Sequence, residues 1–168
     1  ASVSAPHKGL KDLIAAVRII NDPKIHVSIV GDDPKNFLAN VRIPHKHIPL
    51  KSRSEELIPY YDQADVLVTP SKEDNLPNVI AEAMSCGTPV ISYATGGIPE
   101  MVLDGKNGIL TKTKSPLALS EAIYLLKQDE KSRDKFSTEA RKHIVNNFGY
   151  KPIAHQMKQL YSTSMGMS

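Results

Sequence analysis

The stretch Pro70–Glu100, PSKEDNLPNVIAEAMSCGTPVISYATGGIPE, decides the fold. The apolar, β-branched run Val66–Thr69 directly before it is typical of a buried strand. Asn75 is a residue type that caps helices. Pro77 suits a first helical position, because the N–H that proline lacks has no intrahelical partner there. The pattern therefore predicts a strand, a loop, a helix that ends at Gly87, and a second short strand.

The predicted helix has two faces, and its N-terminus is a candidate anion site. Helical spacing predicts a buried stripe of Val79, Ile80, Ala83 and Met84. The opposite face carries Asn78, Glu82 and Ser85. A helix N-terminus that follows a sheet strand offers free backbone N–H groups and a partial positive charge to an anion. Leu76 and Asn78 can donate such groups, whereas Pro77 cannot.

Two carboxylates flank this candidate anion site. Asp74 precedes the helix, and Glu82 lies about 7–8 Å along the helix axis from Pro77. Carboxylates accept hydrogen bonds from hydroxyl groups, so the pair suits hydroxyls on either side of a bound diphosphate. A nucleotide sugar has this layout, with ribose, diphosphate and hexose in order.

These residues resemble the donor-site signature of a known enzyme family, the retaining family-4 glycosyltransferases (glycosyl transferases group 1) of GT-B fold. The matching blocks, in order, are Asp74 and Glu82 with seven residues between them, Ala83-Met84, Gly87-Thr88-Pro89-Val90, the turn Gly96–Glu100, and a hairpin at Asp104–Gly108. The resemblance extends from about Ser2 to Tyr161.

The resemblance implies roles for individual residues. Lys8 would contact the donor's phosphates, Asp74 the sugar hydroxyls and Glu82 the ribose, with Lys8 and Asp74 as the catalytic residues. The donor-binding set would be Lys8, Asp74, Asn75, Leu76, Asn78 and Glu82. The family usually has an arginine six residues before the lysine, and this position is Ser2 here. The implied reaction is a front-face hexose transfer, with retention and without a metal, to a glycan or lipid-linked acceptor in cell-surface polysaccharide synthesis.

The order of elements predicts the fold class. Helices alternate with short apolar strands, which indicates an α/β domain with a doubly wound parallel sheet, Rossmann-like and three-layered. The whole chain, 1–168, would be one nucleotide-sugar-binding domain, the C-terminal half of a GT-B enzyme. The N-terminal acceptor half would be absent, so this chain alone would transfer no sugar. We expect Ala1–Ser4 to be the tail of a strand and residues 162–168 to be frayed.

Further elements follow from local signals. A helix opened by Lys8-Gly9 would bury Leu10, Leu13, Ile14, Val17 and Ile20. Strands are predicted at Ile25–Val30 and Ile43–Leu50, and Ser54 and Ser115 would each cap a helix. The helix after Ser115 would bury Leu117, Leu119, Ala122, Ile123, Leu125 and Leu126. A long charged helix at Lys127–Asn147 and a last helix at Pro152–Tyr161 complete the chain. Asp62 and Asp65 would cap a helix end and a strand start.

Metal and thiol chemistry are weak alternatives. Asp32-Asp33 suits turn chemistry better than a metal site, because the chain has no Asp-x-Asp. His45 and His47 alternate on a strand without an apparent third ligand, so exposed edge positions are the preferred interpretation. The single cysteine, Cys86, has no nearby activating base and is predicted to be a small buried thiol.

Composition bounds the remaining function classes. The chain has a net charge of +3 and no tryptophan, and it lacks a basic stripe interleaved with aromatics, which argues against nucleic-acid binding. The lone cysteine and the lack of a long apolar run predict a cytoplasmic protein. Basic flanks around an acidic centre suit ordinary surface charge or, alternatively, weak peripheral association with anionic lipid headgroups at the inner face of the membrane. A nucleotide-sugar epimerase and a non-catalytic nucleotide-sugar-binding module remain alternative functions.

Overall fold

The elements of the fold alternate between helix and strand along most of the chain. A computed structural model describes residues 5–31, 44–49, 51 and 53–164. Its 3₁₀ turns span Pro6–Lys8 and Ser54–Leu57. Its strands are β1 (Val27–Gly31), β2 (His45–Pro49), β3 (Leu67–Thr69), β4 (Val90–Tyr93) and β5 (Gly108–Thr111). Its helices are α1 (Leu10–Ile20), α2 (Ile58–Asp62), α3 (Asn78–Ser85), α4 (Ile98–Met101), α5 (Pro116–Gln128), α6 (Glu130–Phe148) and α7 (Tyr150–Ser164).

Every strand pairing among these elements is parallel. β1 pairs with β2, with Val27 opposite His45, and β4 pairs with both β3 and β5. The α/β class and the parallel strand direction predicted from the sequence are confirmed. The described strands form two groups, β1-β2 and β3-β4-β5, rather than one sheet.

Helices pack on both faces of the β3-β4-β5 group. Successive side chains of β4 point to opposite sides, so each face of this strand contributes to a different part of the core. Ile91 and Tyr93 pack with residues of α1 and α5 in one cluster. Val90 packs with residues of α3, α4 and α6 in another. All four residues of β4 are buried, so this strand lies at the centre of a three-layered arrangement.

Several predicted helix ends are confirmed by their caps. Gly9, at φ +73°, opens α1, and Asn21, at φ +46°, ends it. The Ser115 side chain accepts a hydrogen bond of 3.2 Å from the Ala118 amide and caps α5, as predicted. Gly87 follows the end of α3 in a left-handed conformation. These signals depend on one or two residues, so they can be recognised in the sequence alone.

Other predictions about helices are wrong. α3 begins at Asn78 with Pro77 as its cap residue, and Asn75 is two residues further out. Val79 is 40% exposed, and Leu117 and Leu125 are more than half exposed, so the buried stripes are narrower than predicted. Ser54 is the first residue of a 3₁₀ turn, and Arg53 takes the cap position. α7 extends through Ser164, past the predicted end, while residues 165–168 lie outside the described part of the chain.

The predicted hairpin at Asp104–Gly108 is also wrong. A turn signal does occur there, with Gly105 at φ +71°. However, β5 pairs in parallel with β4, Gly108 opposite Val90, so the chain does not fold back on a preceding strand. Buried Asn107 accepts from the Leu103 amide at 2.7 Å and holds this turn.

Candidate functional site

Three connecting segments meet beyond the carboxyl ends of β3 and β4. They are the turn Ala5–Gly9, the loop Pro70–Pro77 and the turn Ala94–Gly97. The Lys72 amide donates to the His7 carbonyl at 2.7 Å, and the Gly97 amide donates to the Asn75 carbonyl at 2.6 Å. The loop after β3 is therefore tied on both sides. Open α/β sheets bind ligands at this edge.

An ion pair joins two of these segments. Lys8 Nζ lies 2.7 Å from Asp74 Oδ2, across 66 positions of sequence. The side chains are 29% and 14% exposed, so both charges are partly shielded but still reached by solvent. The structure thus brings together the two residues that the sequence nominated as catalytic.

Glycines allow the three segments to approach closely. A Cβ added at Gly9 would collide with the Pro70 carbonyl, and one at Gly96 with the Asp74 carbonyl. Gly96 is also at φ +53°, a backbone conformation that residues other than glycine rarely adopt. Glycine is therefore required at positions 9 and 96, where the two turns pack closely against the loop that carries Asp74.

A second ionic network supports the loop from α1. Asp12 contacts Lys72 Nζ at 3.0 Å and accepts a 2.9 Å hydrogen bond from the Tyr93 hydroxyl. Burial raises the pKa of Tyr93, and the hydrogen bond to Asp12 raises it further. Lys114 Nζ donates to the Lys72 carbonyl at 2.9 Å. Sequence analysis missed this network, because its members come from four separate elements and match no local motif.

The first turn of α3 faces the same edge. The Ile80 amide bonds the Pro77 carbonyl at 3.0 Å. Within the described part of the chain, the amides of Leu76, Asn78 and Val79 bond to no other residue. Asn75 contributes its carbonyl to the Gly97 contact and does not cap α3, which corrects its predicted structural role. Val79 is a further candidate donor, which the sequence analysis missed by placing it on the buried face.

Glu82 lies in the second turn of α3, and its carboxylate accepts a 2.9 Å hydrogen bond from the Tyr61 hydroxyl. Burial, and secondarily this bond to Glu82, raises the pKa of Tyr61. A cavity of about 550 Å³ adjoins Glu82 and is lined also by Ile58, Cys86 and Arg141. Tyr61 of α2 therefore holds the Glu82 carboxylate at the wall of this cavity.

Thr95 is another feature that the sequence analysis missed. Its hydroxyl is the only buried side-chain oxygen or nitrogen in the described residues that has no hydrogen-bond partner. It directly precedes the double glycine that contacts Asp74 and Asn75. Such a group is normally satisfied in native proteins, which makes it a candidate ligand contact.

The two predicted caps, Asp62 and Asp65, act on different groups, and Asp62 lies next to Cys86. Burial raises the pKa of the Cys86 thiol, and the Asp62 carboxylate raises it further, so Asp62 acts on this thiol. Asp65 is exposed and pairs with Arg133 Nε at 3.8 Å. The sequence predicted a buried thiol, whereas Cys86 is only partly buried and lines a cavity beside Glu82.

No metal centre is found in the described ranges, which contain no cluster of three or more ligating side chains. Asp32 and Asp33 lie outside those ranges. His45 is exposed at the start of β2. His47 is half-buried, with Nε2 3.0 Å from the Gly31 carbonyl, so it bonds the neighbouring strand rather than standing on an exposed edge. No helix in the part of the chain that the structure describes is long and apolar enough to cross a membrane.

The geometry can be compared with known proteins. The family model for glycosyl transferases group 1 matches residues 2–143. This chain belongs to that family. The match covers all three segments of the candidate site, so the Lys8-Gly9 turn, the Asp74 loop and the double glycine of this glycosyl transferases group 1 domain are all within it.

Individual relatives support the assignment. An uncharacterized glycosyltransferase of Methanocaldococcus jannaschii is 28% identical over 161 residues, 93% of this chain and 45% of that protein. Sucrose-phosphate synthase from Thermosynechococcus elongatus superposes with a TM-score of 0.84 at 29% identity, over 97% of this chain and 44% of that one.

A third similar structure supports the fold. The Anabaena protein HepE, in complex with UDP-glucose, gives a TM-score of 0.78 at 22% identity over 95% of this chain and 46% of that one. The chain thus has the Rossmann-like fold of a GT-B half-domain, and it spans about half the length of these relatives.

Proposed function

We propose that this chain is the donor-binding half of a retaining glycosyltransferase. It holds a nucleoside-diphosphate sugar, without a metal, and presents the hexose to an acceptor bound by a second half of the full-length protein. The acceptor is a glycan or a lipid-linked sugar of cell-surface polysaccharide synthesis. The chemistry of the carboxyl edge supports donor binding, and the family supports the reaction type.

The ion pair between Lys8 and Asp74 carries the proposal. An ammonium group has three N–H donors, and Asp74 takes one of them. The other two are available to phosphate oxygens, beside the unbonded amides of Leu76, Asn78 and Val79. Asp74 accepts hydrogen bonds from sugar hydroxyls on the other side of the lysine. A cation next to a carboxylate suits the junction between a diphosphate and a hexose.

The same groups contribute to catalysis. Negative charge develops on the diphosphate as the sugar leaves it, and preorganised donors at that position stabilise the transition state. Lys8 is held in place by Asp74, so it needs little reorganisation when the charge forms. The hydroxyl of Thr95, without a described partner, is a further candidate donor at this edge.

Glu82 binds the ribose in this proposal. Tyr61 donates to one carboxylate oxygen and fixes the side chain, and a carboxylate accepts several hydrogen bonds, including those from ribose hydroxyls. The cavity of about 550 Å³ beside it accommodates the nucleoside. The HepE complex with UDP-glucose makes this donor the first probe to use.

Titration calorimetry of the full-length protein with UDP and GDP tests the proposal. We expect at least one of them to bind with the same affinity in EDTA and in excess Mg²⁺, because phosphate charge is met by Lys8 and backbone amides. Binding that appears only with Mg²⁺ or Mn²⁺, or the absence of binding to both nucleotides, would contradict it.

A further inference from the structure

Three exposed lysines lie at the carboxyl edge of the sheet, beside the Lys8–Asp74 pair. β5 runs parallel to β4, and β4 runs parallel to β3, so the turn after β5 reaches the same edge as the loop after β3. The turn carries Lys112 and Lys114, and the loop carries Lys72. We call these three residues the lysine ledge. The ledge is separate from the ion pair to which the proposed donor site belongs.

Tertiary contacts hold two members of the ledge beside each other. Lys114 Nζ donates a 2.9 Å hydrogen bond to the Lys72 carbonyl, across 42 positions of sequence. Lys72 Nζ lies 3.0 Å from Asp12 Oδ2 on α1, and the Lys72 amide donates to the His7 carbonyl at 2.7 Å. A lysine side chain loses rotamer entropy when it is held in this way. These two side chains are therefore more ordered than freely solvated surface lysines.

The turn after β5 is held by its own hydroxyl groups. Thr111 Oγ1 donates to the Thr113 carbonyl at 3.2 Å. The hydroxyls of Thr113 and Ser115 lie 3.5 Å apart, and the Ser115 side chain also caps α5. Lys112 and Lys114 flank Thr113, so both lysines are attached to a backbone of defined shape.

The ledge has more positive charge than its neighbours neutralise. Within the described part of the chain, Lys72 has one carboxylate partner, Asp12, whereas Lys112 and Lys114 have none. Glu73 is exposed beside Lys72 in the same loop, so two carboxylates stand against three ammonium groups. Cations that are held close together repel one another, and an anion bound between them offsets this repulsion. A phosphate suits the ledge because its oxygens accept charge-assisted hydrogen bonds from several ammonium groups.

The donor of the proposed function uses other groups. Its diphosphate is assigned to Lys8 and to the amides in the first turn of α3, and its hexose is assigned to Asp74. Lys72 precedes Asp74 by two residues, so the ledge adjoins the hexose end of this donor. The acceptor has to approach the hexose at this place. A second anion at this edge therefore belongs to the acceptor.

We propose that the lysine ledge binds a phosphate group of the acceptor. This inference rests on the proposed function, because it needs a donor at the Lys8–Asp74 pair. It narrows the acceptor to a sugar that carries phosphate, either a soluble sugar phosphate or a sugar joined to a lipid through phosphate. Lys72 and Lys114 contact the phosphate, and Lys112 adds positive charge. The phosphate takes no part in the transfer, so the ledge acts on acceptor binding.

NMR of the full-length protein, with isotope-labelled nitrogen in its lysines, tests the ledge with inorganic phosphate as the probe. Saturating UDP fills the Lys8 site, and chloride keeps the ionic strength constant. We expect the backbone amide signals of Lys72 and Lys114 to shift with one saturating midpoint. Lys131, an exposed lysine of α6, is the control and should not shift. Equal responses at all three lysines, or no response at any of them, would overturn the proposal.

Lys114→Gln gives a second readout of the same surface. Glutamine keeps a hydrogen-bond donor at this position but removes the positive charge. The phosphate midpoint, followed through the Lys72 amide, should rise about fivefold, near the upper end for one solvent-exposed ion pair. Lys131→Gln is the matched control and should leave the midpoint unchanged. Equal midpoints in the two variants would also count against the ledge.

The chemistry of the reaction product tests the class of acceptor. The full-length protein is given a radiolabelled form of the sugar donor that it binds best, together with an extract of the cells that make this protein. We expect the labelled product to bind an anion-exchange resin and to contain phosphate by mass spectrometry. Label in the aqueous phase identifies a soluble sugar phosphate, and label in the organic phase identifies a lipid joined through phosphate.

Failure of this proposal differs from failure of the proposed function. A labelled product without phosphate, made by a protein that binds UDP or GDP, rejects the phosphorylated acceptor and leaves the donor site intact. If neither nucleotide binds to the wild-type protein, or if it transfers no label at all, the proposed function fails and the acceptor role of the ledge fails with it.

Discussion

In the proposed function, Lys8 is the residue on which donor binding depends most directly. Its ammonium group is held 2.7 Å from Asp74, and it is the cation that links the N-terminal turn to the loop after β3. The pair is partly buried but still reached by solvent, which screens it, so its contribution to stability is modest. In the proposed function, this pair holds a positive charge next to the backbone amides of Leu76, Asn78 and Val79, which bond to no described residue.

Replacing this charge gives the first prediction. Lys8→Met should weaken UDP binding about 10- to 100-fold, because hydrogen bonds to charged groups contribute about 1.5–3 kcal/mol. Lys11→Met is the matched control, since Lys11 is an exposed lysine three residues away on α1. Calorimetry of both variants checks the prediction. Equal affinities for UDP in Lys8→Met and Lys11→Met would contradict it.

Cys86 gives a prediction about pH. Because burial and the Asp62 carboxylate raise the pKa of its thiol, the thiol remains protonated at a pH where a free cysteine has begun to ionise. The rate of alkylation by iodoacetamide should therefore rise with pH, and the midpoint of this rise should lie at a higher pH than for a free cysteine. Asp62→Asn removes a cause of the upward shift, so it should lower the pKa and speed the reaction at pH 8.5.

Mass spectrometry of the alkylated protein between pH 7 and pH 10 measures both rates. Asp65→Asn is the control, because Asp65 is exposed and pairs with Arg133. If Asp62→Asn and Asp65→Asn change the rate equally, the carboxylate of Asp62 does not act on this thiol.

At the scale of elements, the double-glycine turn positions the loop that carries Asp74. Gly96 and Gly105 are both left-handed, at φ +53° and +71°. They differ in surroundings, since an added Cβ collides with the Asp74 carbonyl at Gly96 but has no atom within 4 Å at Gly105. The two sites therefore separate backbone strain from steric displacement of the loop.

Alanine substitutions at these two sites give the third prediction. Gly105→Ala should cost about 1–2 kcal/mol of unfolding free energy, from the left-handed backbone alone. Gly96→Ala should cost more and should also weaken donor binding, because Asp74 has to move. Urea unfolding and calorimetry on both variants test this. Unchanged donor affinity in Gly96→Ala would show that the turn does not position the site.

The sequence was sufficient where a signal was local. Ser115-Pro116 and Gly9 each set a helix start by their own chemistry, and both predictions are confirmed. Asn75 failed as a cap because the Gly97 amide, 22 residues later, binds its carbonyl, and no periodicity reports such a contact. The hairpin at Asp104 failed because a turn signal does not say which strand pairs next. Periodicity also overestimated burial, since Leu117 and Leu125 flank a stripe that packs on the sheet.

The candidate site was only partly predictable for the same reason. Lys8 and Asp74 were predicted as site residues through the resemblance. The ion pair between them is a tertiary contact, which the sequence does not show. No sequence signature indicates the network of Asp12, Tyr93 and Lys72. The same is true of the buried Thr95 hydroxyl, which has no hydrogen-bond partner among the described residues. Val79 was assigned to the core because it is apolar and at helical spacing from Ala83, but its side chain lies at the margin of the buried stripe and is 40% exposed.

At the scale of the whole molecule, the proposed function assigns the described chain the donor side of a transfer reaction. It spans about 45% of the Methanocaldococcus jannaschii relative, and the proposed acceptor site belongs to the rest of the protein. Met157 and Leu160 of α7 are more than half exposed in this chain alone.

The division into halves gives the fourth prediction. The chain 1–168 should transfer no sugar to an added acceptor, and slow hydrolysis of the donor is the most we expect. The full-length protein, assayed with the same donor and acceptor, is the positive control. Transfer by the 168-residue chain at a rate comparable to the full-length protein would show that the acceptor site lies within this half.

The central claim is that Glu82 and Asp74 hold opposite ends of one nucleotide sugar. Two variants test it, Glu82→Gln and Asp74→Asn. Each removes a charge but keeps the size of the side chain. The amide oxygen introduced by Glu82→Gln can still accept a hydrogen bond from the Tyr61 hydroxyl. Loss of one hydrogen bond costs about 0.5–1.5 kcal/mol, or roughly 2- to 13-fold in affinity, and more where charge assists. Asp74→Asn also relieves Lys8 of a competing anion, so binding of the bare diphosphate should be unchanged or tighter.

Calorimetry with UDP and with UDP-glucose, or with the donor that binds best to the wild-type full-length protein, is the most direct test. We predict that Glu82→Gln weakens the bare diphosphate and the full donor by similar factors, whereas Asp74→Asn weakens the full donor alone. Equal losses for both ligands in both variants, or no loss in either variant, would contradict the account.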